Sequence, residues 1–216
     1  MGVNPPAPRE APGALAPDRG VVEPGNIAGG QWVSCTSEVA AATFLVADAL
    51  KPTRGETIAA IRSRAVAAQE AAVAGAGALA RLGVHDPERA HRYGALTWSV
   101  RTMSLAQVRV WPGMGGLPLP WCAGSVDDVA ARLAAGRVPA SASRLVAMLS
   151  ATGDLARHEA ISWLTFLPLL VVPDALLHDH LPHPGSPWAL DDGCHRAVLL
   201  ALLAVGSVSV LVGEPR

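Results

Sequence analysis

Two stretches of this sequence bring chemically capable residue types together at short spacing. The first is Trp188-Ala189-Leu190-Asp191-Asp192-Gly193-Cys194-His195-Arg196. After it come the apolar run Ala197 to Val205, Gly206, and the alternating Ser207-Val208-Ser209-Val210-Leu211-Val212. The pattern predicts a strand ending in two aspartates, a glycine turn, a helix starting at Cys194 or His195, and a final strand. A helix start presents unpaired backbone N–H groups and the positive end of the helix dipole, so it attracts anions such as phosphate. Gly193 lets the backbone come close, and His195 and Arg196 in the first turn add donors and charge. Cations at a helix N-terminus are unfavourable by themselves, so two of them there imply that an anion is expected. The plain alternative is a strand–turn–helix with a solvated arginine and a core-facing cysteine.

The second stretch is His178-Asp179-His180-Leu181-Pro182-His183, close to Asp174, which holds three of the seven histidines. His-x-His on an extended segment puts both rings on one side, which makes His178, His180 and His183 candidate metal ligands. A solvated polar loop is the competing reading, and phosphate binding or proton shuttling by these histidines is a third. A P-loop and a Gly-x-Ser-x-Gly nucleophile elbow are both absent, and Gly75 and Gly77 do not follow a strand.

Asp192-Gly193-Cys194-His195-Arg196, lying between a strand and a buried helix that leads to a valine-rich strand, resembles the ParB/sulfiredoxin superfamily. Free serine kinases of that superfamily carry Asp-Gly-His-His-Arg, and ParB-type regulators carry Gly-Glu-Arg-Arg or Asp-Gly-x-His-Arg. Sulfiredoxins carry Gly-Gly-Cys-His-Arg, so this chain reads as a hybrid of the kinase and sulfiredoxin versions. Leu167-Pro168-Leu169-Leu170-Val171-Val172 is similar to the superfamily's Pro-Pro-Ile-x-Val strand, and Ser99 to Val108 is similar to its entry strand. The resemblance spans roughly residues 95–216.

For the kinase branch, the resemblance implies that Asp192 serves as general base or in positioning a metal. Gly193, Cys194, His195 and Arg196 would then cradle the phosphates of ATP or ADP, with magnesium. Phosphoryl transfer is mostly positioning and charge neutralisation, with one carboxylate to receive the hydroxyl proton. The substrate the resemblance implies is a small hydroxylated metabolite such as an amino acid. Asp191 points to the opposite face of the strand, so one carboxylate faces the site. That branch also has a glutamate soon after its first strand; Val110-Trp111-Pro112-Gly113 offers none, and Glu159 is the substitute from another helix. For the sulfiredoxin branch, Cys194 would be the thiol, with its pKa lowered by the helix start, His195 and Arg196 but opposed by Asp192. Cys194 also reads as a small buried residue in a tight turn. A third reading keeps the fold without the chemistry, as a nucleotide-sensing or partner-binding module.

The chain's 216 residues allow one domain, or one domain with an extension. Hydrophobic residues make up 50%, enough for a sizeable core, and mean hydropathy is +0.31. Charged residues are only 16%, the net charge is −1, and Lys51 is the only lysine. A chain this neutral lacks the basic face of a nucleic-acid binder. It also ends at Arg216, where the superfamily's regulators continue into a helix-turn-helix domain. Cys35, Cys122 and Cys194 are odd in number and far apart, which fits a reducing cytoplasm better than a disulfide framework. No apolar signal segment opens the chain, and the longest charge-free run, Ala197 to Gly213, is broken by Gly206 and two serines. A membrane span is therefore not expected.

The elements that must position the site follow in order. Residues 1–31, rich in Pro, Gly and Ala, predict a disordered leader. A helical extension over 32–93 is expected to pack on a small α/β (α+β) domain over 95–216. Within the extension, Glu38 to Leu50 predicts one helix. A capping box at Thr53-Arg54-Gly55-Glu56 starts a long Ala-rich helix to about Leu82, closed by Gly83. Its small-residue face suits close packing inside the chain or across a homodimer. Arg109 to Gly124 predicts a Pro-, Gly- and Trp-rich loop, either a pocket wall or a surface loop pinned by two tryptophans. Ser125 caps a helix to about Ala135, and Ser141–Leu149 and Leu155–Trp163 predict two short helices.

Overall fold

Leu169-Leu170-Val171-Val172 carries no polar side chain, so as a strand it must be covered on both faces. A computed structural model, which describes residues 33–51, 56–57, 59–61, 63–64, 66–68, 77–110, 124–137, 141–178 and 187–216, places it inside a six-stranded sheet. The strands are β1 (Val33–Cys35), β2 (Leu96–Ser104), β3 (Val108–Arg109), β4 (Leu169–Pro173), β5 (Trp188–Asp192) and β6 (Ser207–Pro215). Their order is β1-β2-β6-β4-β5-β3, with β4 parallel to β6, β3 parallel to β5 and the remaining pairs antiparallel. The fold is α+β.

Alternation along the strands sorts the core into two layers. On one face lie α1 (Ser37–Ala49), α2 (Ala78–His85) and α3 (Pro87–Ala95). Their Phe44, Leu82 and Tyr93 cluster with Trp98, Val100, Leu170, Val172 and Leu211. On the other face lie α4 (Val126–Ala134), α5 (Ser143–Gly153), α6 (Arg157–Leu164) and, beyond the short α7 (Ala175–His178), α8 (Cys194–Leu202). Val129, Leu145, Met148, Trp163 and Val198 meet Leu169, Val171, Val208, Val210 and Val212 there. The segment before residue 94 therefore supplies both an edge strand and one whole covering layer of the sheet. Among the described residues no helix is long and apolar enough to cross a membrane.

Local signals set several boundaries. Ser125 and Asp128 form the reciprocal capping box that starts α4, with Ser125 N–H donating to Asp128 Oδ2 at 2.8 Å. Thr36 caps α1, starting it at Ser37, close to the expected Glu38. The long helix expected to end at Gly83 is not what forms at that end. Gly77, at φ +111°, starts a separate helix that runs through Gly83 to His85. Asp86 then caps the next helix, with Pro87 at its first position, because proline lacks the N–H that a continuing helix would need. Helical residues also occur between 59 and 68.

The entry strand, expected over Ser99–Val108, instead spans Leu96–Ser104. Ser104 turns it into a 3-10 segment by accepting from Ala106 N. The two short helices fall at Ser143–Gly153 and Arg157–Leu164, a few residues later than expected. The leader, the Thr53 capping box and most of the Trp111–Gly124 loop lie outside the described residues.

β2 and β6 close tightly where Gly213 passes Trp98. A Cβ on Gly213 would sit 2.8 Å from Leu96 Cδ1 and 2.9 Å from Trp98 Cη2, and the indole is itself fixed by donating to Tyr93 O at 3.1 Å. Gly213→Ala is expected to cost about 1–3 kcal/mol through overpacking, read as a lower urea midpoint. An unchanged midpoint would show that the indole yields freely.

Candidate functional site

β5 ends in two buried carboxylates, and burying a charge is tolerable only when it is paired and hydrogen-bonded. Asp191 and Asp192 are 0% and 2% exposed. As successive strand residues they point to opposite faces, and each meets its own set of cations. Asp191 faces α3, where Arg92 donates to Oδ1 at 2.6 Å, Arg89 Nε lies 3.1 Å from Oδ2, and the Tyr93 hydroxyl donates to Oδ2. Burial, then the Asp191 charge beside it, pushes the Tyr93 phenol well above its ordinary pKa. This socket of two donors and a second guanidinium is structural and fixes α3 to the sheet.

Asp192 faces the other side, at the start of α8. Lys51 Nζ stands 3.7 Å from its Oδ1 and Arg196 Nη2 stands 3.7 Å from its Oδ2, too far for hydrogen bonds. Burial pushes the Asp192 carboxyl above the usual carboxylate range, and Arg196 and then Lys51 pull it back.

Gly193 makes the turn at φ +90°, and a Cβ there would lie 2.6 Å from Leu169 Cδ2, so the position requires glycine on both counts. No side chain caps the helix that follows. Arg196 is buried and donates to Leu167 O at 2.6 Å, with Leu164 O and Pro168 O at 3.5 and 3.4 Å. Much of its fork is thus spent on the chain between α6 and β4. Cys194 is 1% exposed, with its sulfur 3.9 Å from Leu190 O. His195 is 7% exposed, and its Nε2 has no hydrogen-bond partner among the described residues.

These residues line a recess of about 30 Å³, room for roughly two waters. Ala47, Leu50 and Lys51 close it from the end of α1, and Arg144, Met148 and Trp163 close it from α5 and α6. The Leu50–Lys51 corner is held by Arg64, which donates to Ala49 O at 2.7 Å and Lys51 O at 2.9 Å and pairs with Glu56. An arginine reaching the last carbonyls of a helix satisfies the acceptors that helix leaves open.

Asp192, Gly193, Cys194, His195 and Arg196 all line this one recess. Lys51, Arg64 and Arg144 were invisible as site residues in the sequence. The one available signal was that Lys51 is the only lysine in a chain that otherwise uses arginine. Glu159, expected as a second acid, does not serve the site: its carboxylate accepts from Ala156 N at 3.1 Å and caps α6. His180 and His183 lie outside the described residues, and His178 is the last residue of α7. Among the described residues no three His, Cys, Asp or Glu side chains gather as metal ligands. Nearby Asp174 is engaged by Arg109, with Nη1 at 3.2 and 3.0 Å from its two oxygens, a buried pair that ties β3 to the end of β4.

Burial, then the charges of Lys51 and Arg144, pushes His195 down to about 4 from 6.5. The folded chain therefore binds this proton less readily than the unfolded chain. Stability from this group is full above pH 6.5 and drains as pH falls towards 4. Asp192, with its pKa raised, acts in the opposite sense, so the comparison must be made against a variant that keeps Asp192. Between pH 7 and 5 the wild type should lose on the order of 2 kcal/mol more than His195→Gln, measured by urea unfolding at each pH. Equal losses would show that the imidazole is not shielded.

No family model, no curated protein and no solved structure matches this chain, so what the site does rests on its own geometry.

Proposed function

We propose that this protein is a nucleotide-dependent phosphotransferase acting on a small hydroxylated metabolite, with its reaction centre at the start of α8. The observation that carries the reading is the uncapped helix start behind Gly193, where a buried carboxylate and the unpartnered Nε2 of His195 line one recess. Backbone N–H groups there, with His195 beside them, suit the phosphates of ATP or ADP. Among the described residues Asp192 is the one carboxylate lining that recess, and it is the candidate to take the proton of the attacking hydroxyl. A carboxyl whose pKa burial raises, with Arg196 and then Lys51 pulling it back, is closer to a working base than an ordinary exposed aspartate. Asp192 already faces two cations, so the magnesium of this reading would travel on the nucleotide's phosphates and not in a protein-built cage. A recess of about 30 Å³ admits no nucleotide as it stands, and entry requires one of its walls from α1, α5 or α6 to withdraw.

That small volume, together with the commitment of Arg196 to backbone carbonyls, favours one other reading: a nucleotide-sensing or partner-binding module that keeps the fold without turnover. The sulfiredoxin-like reading needs a reactive, reachable thiolate, and the burial of Cys194 speaks against it.

Calorimetric titration with ATP, ADP and CTP, with and without magnesium, tests the reading. Micromolar binding of ATP or ADP, followed by phosphate transfer that Asp192→Asn reduces by about a hundredfold or more, is the expected result. Binding with turnover unaffected by Asp192→Asn would transfer the chain to the binding-module reading. No binding of any nucleotide would end the phosphotransferase reading and the nucleotide-sensing one, and leave a partner-binding module.

A further inference from the structure

Four charged side chains line the recess at the start of α8: Lys51, Arg144, Arg196 and Asp192. Three cations meet one carboxylate, and the imidazole between them is neutral at pH 7 because its pKa is depressed. Arg196 is committed to Asp192 and to the carbonyls before β4. Lys51 is shared, with its ammonium 2.7 Å from Asp48 Oδ1 at the surface and 3.7 Å from Asp192 inside. Arg144, on the first turn of α5, is exposed and has no ion-pair partner among the described residues. An uncompensated arginine at the mouth, a lysine spanning to the interior and a nine-tenths-buried, unpartnered His195 Nε2 all border the same uncapped helix start. Two of these three cations come from elements that the Asp192–Arg196 turn does not contain.

We propose that Lys51 and Arg144 complete an oxyanion site on the start of α8, which takes one tetrahedral phosphoryl group once a wall of the recess withdraws. Arg144 meets the anion at the mouth, and Lys51 shifts from Asp48 and Asp192 towards it as the group enters. An anion here supplies the charge that the recess lacks and gives His195 Nε2 a partner. Lys51 also belongs to the α1 wall and stands 3.7 Å from Asp192 Oδ1. Binding the anion and withdrawing the α1 corner are therefore coupled through one side chain. The proposal deepens the phosphotransferase reading and rests on it only for the identity of the molecule that carries the phosphoryl group.

The test uses the full chain with inorganic phosphate as probe and chloride at matched ionic strength as control. Thermal melting and calorimetry should show phosphate-specific binding. Lys51→Met and Arg144→Met should each weaken it about tenfold, with Arg144→Lys recovering part of the loss. Arg137→Met, which removes the same charge from an exposed position away from the recess, should leave binding unchanged. Lys51→Met also strips Asp192 of a partner and can unfold the chain; Arg144, being exposed, then decides alone. Phosphate binding unaffected by Arg144→Met, or affected equally by Arg137→Met, overturns the proposal, as does the absence of phosphate-specific binding. Phosphate binding with the expected losses, but without binding of ATP, ADP or CTP, upholds this site and removes the nucleotide reading.

Discussion

Two adjacent carboxylates buried at the end of β5 are the constraint around which the rest is arranged. Neither can stay charged in the interior without opposing charge, and no strand geometry lets one partner set serve both. The protein solves this from two directions. α3 brings Arg89, Arg92 and Tyr93 to Asp191 across one face of the sheet. The end of α1 and the first turn of α8 bring Lys51 and Arg196 to Asp192 on the other. Breaking a buried pair by removing one partner typically costs about 3–5 kcal/mol, so these contacts hold the layers in register as well as neutralising charge.

The two carboxylates differ in how completely they are answered, and that difference separates structure from chemistry. Asp191 accepts directly from a guanidinium and a phenol at hydrogen-bond distance, with a second guanidinium against it, so nothing is left for a ligand to do. Asp192 has two cations at 3.7 Å, a neighbouring imidazole whose Nε2 has no hydrogen-bond partner among the described residues, and space for water. A fully satisfied network rigidifies a core, whereas an incompletely satisfied one beside a helix start is where a ligand finds its partners. The turn itself is rigid. Gly193 can be nothing larger, and Arg196 is tied to the chain before β4, so any opening comes from the walls that α1, α5 and α6 supply.

Much of the motif's immediate surroundings was legible from the sequence, because it depends on short-range rules. The strand to Asp192, the glycine turn and the helix from Cys194 lie where apolar runs and one glycine put them. The opposite facing of Asp191 and Asp192 follows from the two-residue period of a strand. The Ser125 cap with Asp128 is likewise a local signature. The expected long helix to Leu82 misled for a local reason as well. Ala-rich periodicity continues through Gly77 and up to Asp86, and only the left-handed glycine and the Asp86-Pro87 start show that the helices are separate.

Composition and spacing by themselves thus determined the α+β class and the β5–turn–α8 unit. Only the tertiary structure decided which cations surround that unit. Lys51 and Arg64 come from more than a hundred residues upstream, and Arg144 comes from a helix about fifty residues before the turn. Such pairings carry no sequence period, because they are fixed by layers packing across a sheet whose order, β1-β2-β6-β4-β5-β3, is not the order of the chain. A buried carboxylate announces in the sequence that it needs a partner; which partner answers depends on what the folded layers place within reach.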